Sequence, residues 1–272
     1  MADVISSAAN PLVKRVRALA DRKYRRRDSA FVVQGIQPVW QAVEAGADIE
    51  VLIAAPDLLR HAGAAGMVAA QEAAGVRVAR FSAELFGRIA DRDGPSGLAA
   101  IVRSAPVALA DLPTGAGSLF AALYSPGNPG NVGTIIRTAS ATGCDGVILI
   151  GPSADQHDPV AVKASMGAIF TVPVAAASST AEFLDWARQG AVSVAATSAQ
   201  GSVSCWEADL RPPLAVLLGS EGTGLPDDLL ATADLRVAIP MTGTAESLNL
   251  AVAAGVLLYE VRRRTGLPSP DA

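Results

Sequence analysis

From residue 118 onward, continuous apolar runs alternate with stretches of helical periodicity, and this constrains the fold more than any other feature of the chain. SLFAALY (118–124), GVILIG (146–151), VPVAA (172–176), VSVAAT (192–197), LAVLLG (214–219) and LRVAIP (235–240) are short and apolar without alternation. Strands of that kind are buried on both faces. Between and after them, residues 131–143, 158–168, 179–189 and 246–264 read as helices. The expectation is an α/β fold with a mostly parallel sheet covered on both sides. In such a sheet, ligands bind outside the carboxyl ends of the strands.

The front of the chain repeats the alternation on a smaller scale. Asn10-Pro11 reads as an N-cap followed by proline at the first helical position, and Leu12, Val16 and Leu19 mark an apolar stripe. FVVQG (31–35), IEVLIAA (49–55), VRVARF (76–81) and GLAAIVR (97–103) read as strands, with helices at IQPVWQAVEAG and at 57–74, and a short one capped by Ser82. The stretch 104–118, rich in proline, glycine and alanine, has little periodicity and reads as a linker. The expected division is a smaller α/β domain over 1–105, a linker over 106–117 and a larger domain over 118–272.

Half the residues are hydrophobic, so two cores are affordable. No apolar run of about 18 residues is present, and MADVISSAANPLVKR lacks the pattern of a signal peptide. Cytoplasm is the expected location. Cys144 and Cys205 stand in no metal-like spacing, and His61 and His157 are far apart. No metal site is expected, and each cysteine reads as a small buried hydrophobe. The net charge of −4 is unevenly spread. Residues 1–28 hold Lys14, Arg15, Arg17, Arg22, Lys23, Arg25, Arg26 and Arg27 against Asp3, Asp21 and Asp28, a balance of +5, while the rest of the chain carries −9. A basic patch on an acidic body binds a polyanion locally; a solvated helix face has the same composition.

Three strand ends have unusual compositions. SPGNPGNVG (125–133) leads into a helix with Asn131 as its N-cap and Arg137 among small neighbours: Gly133, Thr134, Ser140 and Ala141. An anion-binding arginine and a structural arginine paired to a carboxylate fit this spacing equally well. GSEGTGLP (219–226) has glycine at three of six positions, which permits close backbone approach to a ligand or simply a turn. Its order is neither G-x-G-x-x-G nor a P-loop. PMTGTAESLNL (240–250) precedes a final helix that is apolar almost all round. Ser247 suits a cap there, whereas Asn249 is a polar group that a cap does not need.

Taken in order, these segments resemble the three motifs of the SpoU, or TrmH-type, branch of the SPOUT RNA methyltransferases. The motifs are NVGTIIRTASATG with Asn131, Gly133 and Arg137, then LLGSEGTGL, then IPMTGTAESLNLAVAAGVLLYE. VKASMGAIFTVPV (162–174) is also similar to the family, and the front half resembles the ribosomal-protein-like substrate domain that many members carry. Ser220 stands where the family often has Asn, and Lys163 where it often has Arg. SPGNP replaces an acidic residue common before the first motif.

The resemblance implies an S-adenosylmethionine-dependent 2′-O-ribose methyltransferase with a C-terminal trefoil knot, working as a homodimer. It implies a cofactor site of Gly219, Ser220, Glu221, Gly222, Ile239, Met241, Ser247 and Leu248. It implies a catalytic set of Arg137, Asn131, Glu221, Ser247 and Asn249. RNA would meet the basic residues Lys14, Arg15, Arg22, Lys23, Arg25, Arg26 and Arg27. The expected substrate is 23S ribosomal RNA, with transfer RNA as the alternative. A catalytically silent RNA-binding homologue and a nucleotide-dependent oxidoreductase are the competing classes; the second lacks its glycine turn.

Overall fold

The computed structural model describes residues 4–90, 94–198 and 203–266. It divides into two compact units, Met1–Ala105 with His157–Phe170, and Pro106–Gln156 with Thr171–Ala272.

In the first unit, α1 (Pro11–Ala18) and α2 (Arg22–Asp28) are capped by Asn10 and Asp21, whose side chains accept from Leu12 N–H and Lys23 N–H. The chain continues as β1 (Ala30–Gln34), α3 (Ile36–Glu44), β2 (Ile49–Ala54), α4 (Ala62–Ala73), β3 (Val78–Arg80), α5 (Ala83–Gly87) and β4 (Leu98–Arg103). The sheet order is β1-β4-β2-β3, with β4 antiparallel to both neighbours and β2 parallel to β3. Strand alternation gives the sheet two buried faces. Val32, Val51, Ile53 and Ile101 join α1 and α5 in one core. Phe31, Val33, Leu52, Ala100 and Val102 join α3 and α4 in the other.

That second core is completed from far along the sequence. Val162, on a helix at Pro159–Ser165, is buried in it, with Ile169 and Phe170 packed alongside. The His157 ring stacks on Phe31 at 4.3 Å. The expected helix 158–168 therefore stops at Ser165, and its segment belongs to the first unit. The apolar residues from Val162 to Phe170 fill a face that 1–105 leaves open.

The second unit runs β5 (Leu119–Tyr124), α6 (Pro129–Ala141), β6 (Gly146–Ile150) and, after the helix just described (α7), β7 (Val174–Ala177) and α8 (Thr180–Gln189). It ends β8 (Ser193–Thr197), β9 (Val203–Ser204), β10 (Leu214–Leu218), α9 (Asp227–Thr232), β11 (Leu235–Ala238) and α10 (Leu250–Thr265). The sheet order is β7-β6-β5-β10-β8-β11-β9, and every pairing in it is parallel. The expected linker is not free chain. Val107 bridges Ala175, and Leu109 and Leu112 are buried in the core with Phe120, Phe183 and Trp186. Strand β9 and helix α9 are too short to leave a periodic signal. Cys144 and Cys205 are both buried, and burial pushes the Cys144 thiol up to about 11. No helix among the described residues is long and apolar enough to cross a membrane.

Candidate active site

Strand β5 is where the sheet order turns, with β6 and β7 on one side and β10, β8 and β11 on the other. The crevice at such a switch point is the ligand-binding position of a parallel sheet. Leu123 of β5 pairs with Leu218 of β10, so the loops after these two strands start side by side.

Asn128, not Asn131, caps α6. Its Oδ1 accepts from Gly130 N–H at 2.8 Å and Asn131 N–H at 3.3 Å, with Pro129 at the first helical position. Asn128-Pro129 repeats the signal of Asn10-Pro11, so the sequence held the information. The side chain of Asn131 is thereby released for other partners. Its Nδ2 donates to Glu221 Oε1 at 3.0 Å, and its Oδ1 accepts from Asn249 Nδ2 at 3.1 Å. Asn249 Oδ1 accepts from Ala251 N–H at 2.9 Å and Val252 N–H at 3.4 Å. Asn249 is thus the cap of α10, and Ser247 lies in the loop before it, against the expected roles of the two. The amide orientations are mutually required: a capping Oδ1 turns Nδ2 to Asn131, which must answer with oxygen and present its own NH₂ to a carboxylate.

Glu221 gathers further donors, Gly127 N–H to Oε2 at 3.0 Å and Asn128 N–H to Oε1 at 3.3 Å. Partial burial pushes its carboxyl up. The donors from Gly127, Asn131 and Asn128 outweigh that and hold it below the usual carboxylate range. One relay of side chains therefore ties together the loops after β5, β10 and β11.

Arg137 sits on the exposed side of α6, less than two turns beyond Asn131, with exposed Thr134, Ser140 and Ala141 around it; Gly133 is buried. Among the described residues no carboxylate pairs with it, which removes the ion-paired reading. The hydroxyls of Thr134 and Thr138 turn back onto the carbonyls of Gly130 and Thr134 at 2.8 and 2.9 Å. The guanidinium is left as the charged group on this exposed face.

The 219–224 loop is a closed turn. Ser220 and Gly224 exchange backbone hydrogen bonds at 3.1 Å, and Ser220 Oγ meets Thr223 Oγ1 at 2.8 Å. A side chain at Gly219 would collide with the backbone of Gly224 and Leu225, so this glycine is required by the turn itself. Gly222 has open space around it, as does Gly243 in the next loop. Met241 to Asn249 are all exposed, including the apolar side chains of Met241 and Leu248, and Ile239 is half-buried. Open backbone beside exposed apolar side chains, at the ends of β10 and β11, leaves room there for close approach of a ligand.

Helix α10 lies along α6 in parallel. Asn249 meets α6 near its start, and Arg262 donates to Thr142 O and Gly143 O at its end, at 2.7 and 2.5 Å. The helix is not buried all round as expected, since Val252, Val256 and Tyr259 form an exposed stripe.

In the first unit, Lys14, Arg22, Lys23 and Arg26 are exposed. Arg27 pairs with Asp28 at 2.6 Å and lies 4.8 Å from the Tyr24 ring; Arg15 pairs with Glu50 at 2.7 Å. Arg25 departs from the expected basic surface. It is 5% exposed, donates to Leu19 O and Ala20 O at 3.0 and 2.6 Å, and pairs with Asp158 at 3.4 Å. Its charge holds a turn together.

The SpoU rRNA Methylase family model matches residues 118–259, and the MRM3-like substrate binding domain model matches 10–100. The 23S rRNA (uridine(2479)-2′-O)-methyltransferase of Streptomyces viridochromogenes is 31% identical, over 90% of this chain and 87% of that protein. The 23S rRNA (guanosine(2553)-2′-O)-methyltransferase of Bacillus subtilis is 28% identical, over 95% of this chain and 98% of that protein. Among solved structures, the AdoMet-bound rRNA methyltransferase of Sinorhizobium meliloti superposes with a TM-score of 0.88 at 36% identity, covering 96% of this chain and 98% of that one. The three loops joined by the Glu221–Asn131–Asn249 relay all fall inside the matched region, and the chain belongs to the SpoU rRNA methylase family.

Proposed function

We propose that this protein is an S-adenosylmethionine-dependent RNA 2′-O-ribose methyltransferase acting on 23S ribosomal RNA. The observation that carries the reading is the relay of Glu221, Asn131 and Asn249, with an exposed Arg137 on the same helix as Asn131, set at the switch point of a SpoU-type sheet. Bound S-adenosylmethionine supplies an electrophilic methyl group. Gly219 to Gly222, Ile239, Met241, Ser247 and Leu248 hold it, largely through open backbone and apolar contact.

The residues of the relay position rather than react. Glu221 fixes the loop after β5, Asn131 fixes Glu221, and Asn249 anchors both to the start of α10. Positioning an attacking oxygen in line with the methyl carbon is the main requirement of such a transfer. Arg137 binds the phosphate next to the target ribose and stabilises charge developing on its 2′-oxygen. A guanidinium in a protein stays protonated, its pKa lying above about 12, so we assign Arg137 charge stabilisation rather than proton removal. Arg137→Lys separates the two roles. Loss of methyl transfer at every pH with RNA still bound supports the planar fork, whereas activity recovered at raised pH overturns it in favour of a base.

The same reading takes the exposed Val252, Val256 and Tyr259 stripe of α10 as the contact between two copies, and the 240–250 loop and α10 as the knotted part of the chain. A monomer in sedimentation equilibrium at assay concentration would remove the homodimer. The decisive assay offers unmodified rRNA and tRNA pools with labelled cofactor and maps the modified ribose. Label in tRNA alone would replace the substrate, and no label in either pool, with cofactor bound, would leave a silent RNA-binding protein.

A further inference from the structure

We infer that the first unit carries a pocket for one nucleotide of the RNA, separate from the ribose that is methylated. This rests on the RNA methyltransferase reading above. A cavity of about 270 Å³ opens where α1, β1, α7 and the turn after α5 meet. That is just under the lower end of small-molecule sites, about 300 Å³, and suits one nucleotide rather than a duplex.

Three cations line it: Arg17 from α1, Arg88 from the turn after α5, and Lys163 from α7. No carboxylate is among the lining residues. The Arg88 side chain is 56% exposed and pairs with the still more exposed Glu84 at 2.6 Å, an ion pair weak enough to exchange for a phosphate. The floor is aliphatic, made by Val16, Val32 and Val162, each under a tenth exposed. On one wall Gln34 donates to Ile89 O at 3.0 Å, placing an amide beside that floor.

An apolar floor, an amide wall and a cationic rim match the three parts of a nucleotide. The base is covered, one edge can meet the amide, and the phosphate meets the rim. Single-stranded and looped RNA is recognised by splaying bases into such places. Arg17 and Ala20 continue directly into the exposed Arg22, Lys23 and Arg26, so the pocket opens within a basic surface. A free nucleotide would bring the same chemistry without the neighbouring phosphates that this surface fits.

The test uses the full chain and three variants: Ala20→Trp, which fills the mouth of the pocket from an exposed position without changing charge, the pair Arg17→Ala/Arg88→Ala, and all three changes together. The readouts are affinity for a 23S rRNA fragment that the wild type methylates, and affinity for S-adenosylmethionine. Ala20→Trp is expected to weaken RNA binding about tenfold, on the scale of one stacked or enclosed base. The arginine pair is expected to weaken it by a similar factor with a shallower salt dependence. The combination should be no worse than about twofold beyond the stronger effect, because all three changes act on one subsite. Cofactor affinity stays at the wild-type value throughout. If Ala20→Trp binds RNA as the wild type does, or the combined effects multiply fully, the pocket is not a subsite and the arginines belong to a diffuse basic surface. If the wild type binds nucleoside monophosphates and Ala20→Trp abolishes that while RNA binding is unmoved, the site serves a free nucleotide. A wild type that binds cofactor yet methylates no RNA overturns the functional reading alone; the same variants, titrated with whichever RNA the wild type binds, then decide the subsite.

Discussion

Asn131 has few alternatives chemically. It must accept from one partner and donate to another in the same plane, which an amide does and neither Asp nor Ser does. Asn131→Asp would set a second carboxylate against Glu221, and methyl transfer is expected to fall at least ~100-fold, the scale on which misplacing reacting groups acts. A single-turnover assay with saturating RNA checks this. Gly219→Ala is expected to lower cofactor affinity more than tenfold, because the new methyl group meets backbone that cannot move aside; titration of the cofactor reads it directly. At exposed Arg22, Lys23 and Arg26, each substitution by alanine that removes a phosphate contact should flatten the salt dependence of RNA binding by about 0.7 in log–log slope. Arg25→Ala is expected to lower thermal stability instead, since its buried guanidinium bonds to the chain's own turn and to Asp158. Sequence could not separate Arg25 from its neighbours. In a run of basic residues, composition is uniform while burial depends on the turn beneath.

At the scale of elements, α10 is held at both ends against α6, and its last turn is a charged clamp. Glu260, 8% exposed, accepts from Arg263 and Arg264, while Arg264 also donates to Ala208 O and Cys205 O at 2.7 and 3.0 Å. The Arg263 hydrogen bonds, helped by Arg264 and opposed by burial, bring the Glu260 carboxyl down to about 2. A carboxyl depressed in the folded state stabilises above its unfolded value of about 4.3 and loses that contribution as pH falls towards 2. Glu260→Gln should therefore be less stable than the wild type at pH 7, with the gap closing between about pH 5 and pH 2; urea melts across that range measure it. Arg262→Ala removes two bonds to the carbonyls ending α6 and is expected to cost about 2 kcal/mol. The strands and most helices were legible because continuous apolar runs and 3.6-residue stripes are local signals. The clamp was not, because Glu260 and its arginines read as ordinary exposed helix charges until the loop around Cys205 is folded over them. The three site loops were legible as compositions. Their joining through Glu221 required the neighbouring positions of β5 and β10, which no single segment encodes.

Across the whole molecule, the chain passes between its two compact units at Ala105–Pro106, Gln156–His157 and Phe170–Thr171. Residues 1–105 alone would leave Phe31 without the rings of His157 and Phe170, and would uncover the core that Val162 closes. Such a fragment is expected to melt lower, and to bind a hydrophobic dye more strongly, than the same fragment extended through a short flexible linker to residues 157–170. Equal stability of the two would show that the segment merely rests on the surface. An interleaved chain also restricts how a protein like this changes over generations. A single crossover near residue 105 would bring in a foreign first unit and leave behind a closing segment, fitted to the old one, between β6 and β7. A viable exchange needs two matched replacements at once. Changes in what the first unit recognises therefore accumulate as substitutions on its exposed face, and the two halves descend together.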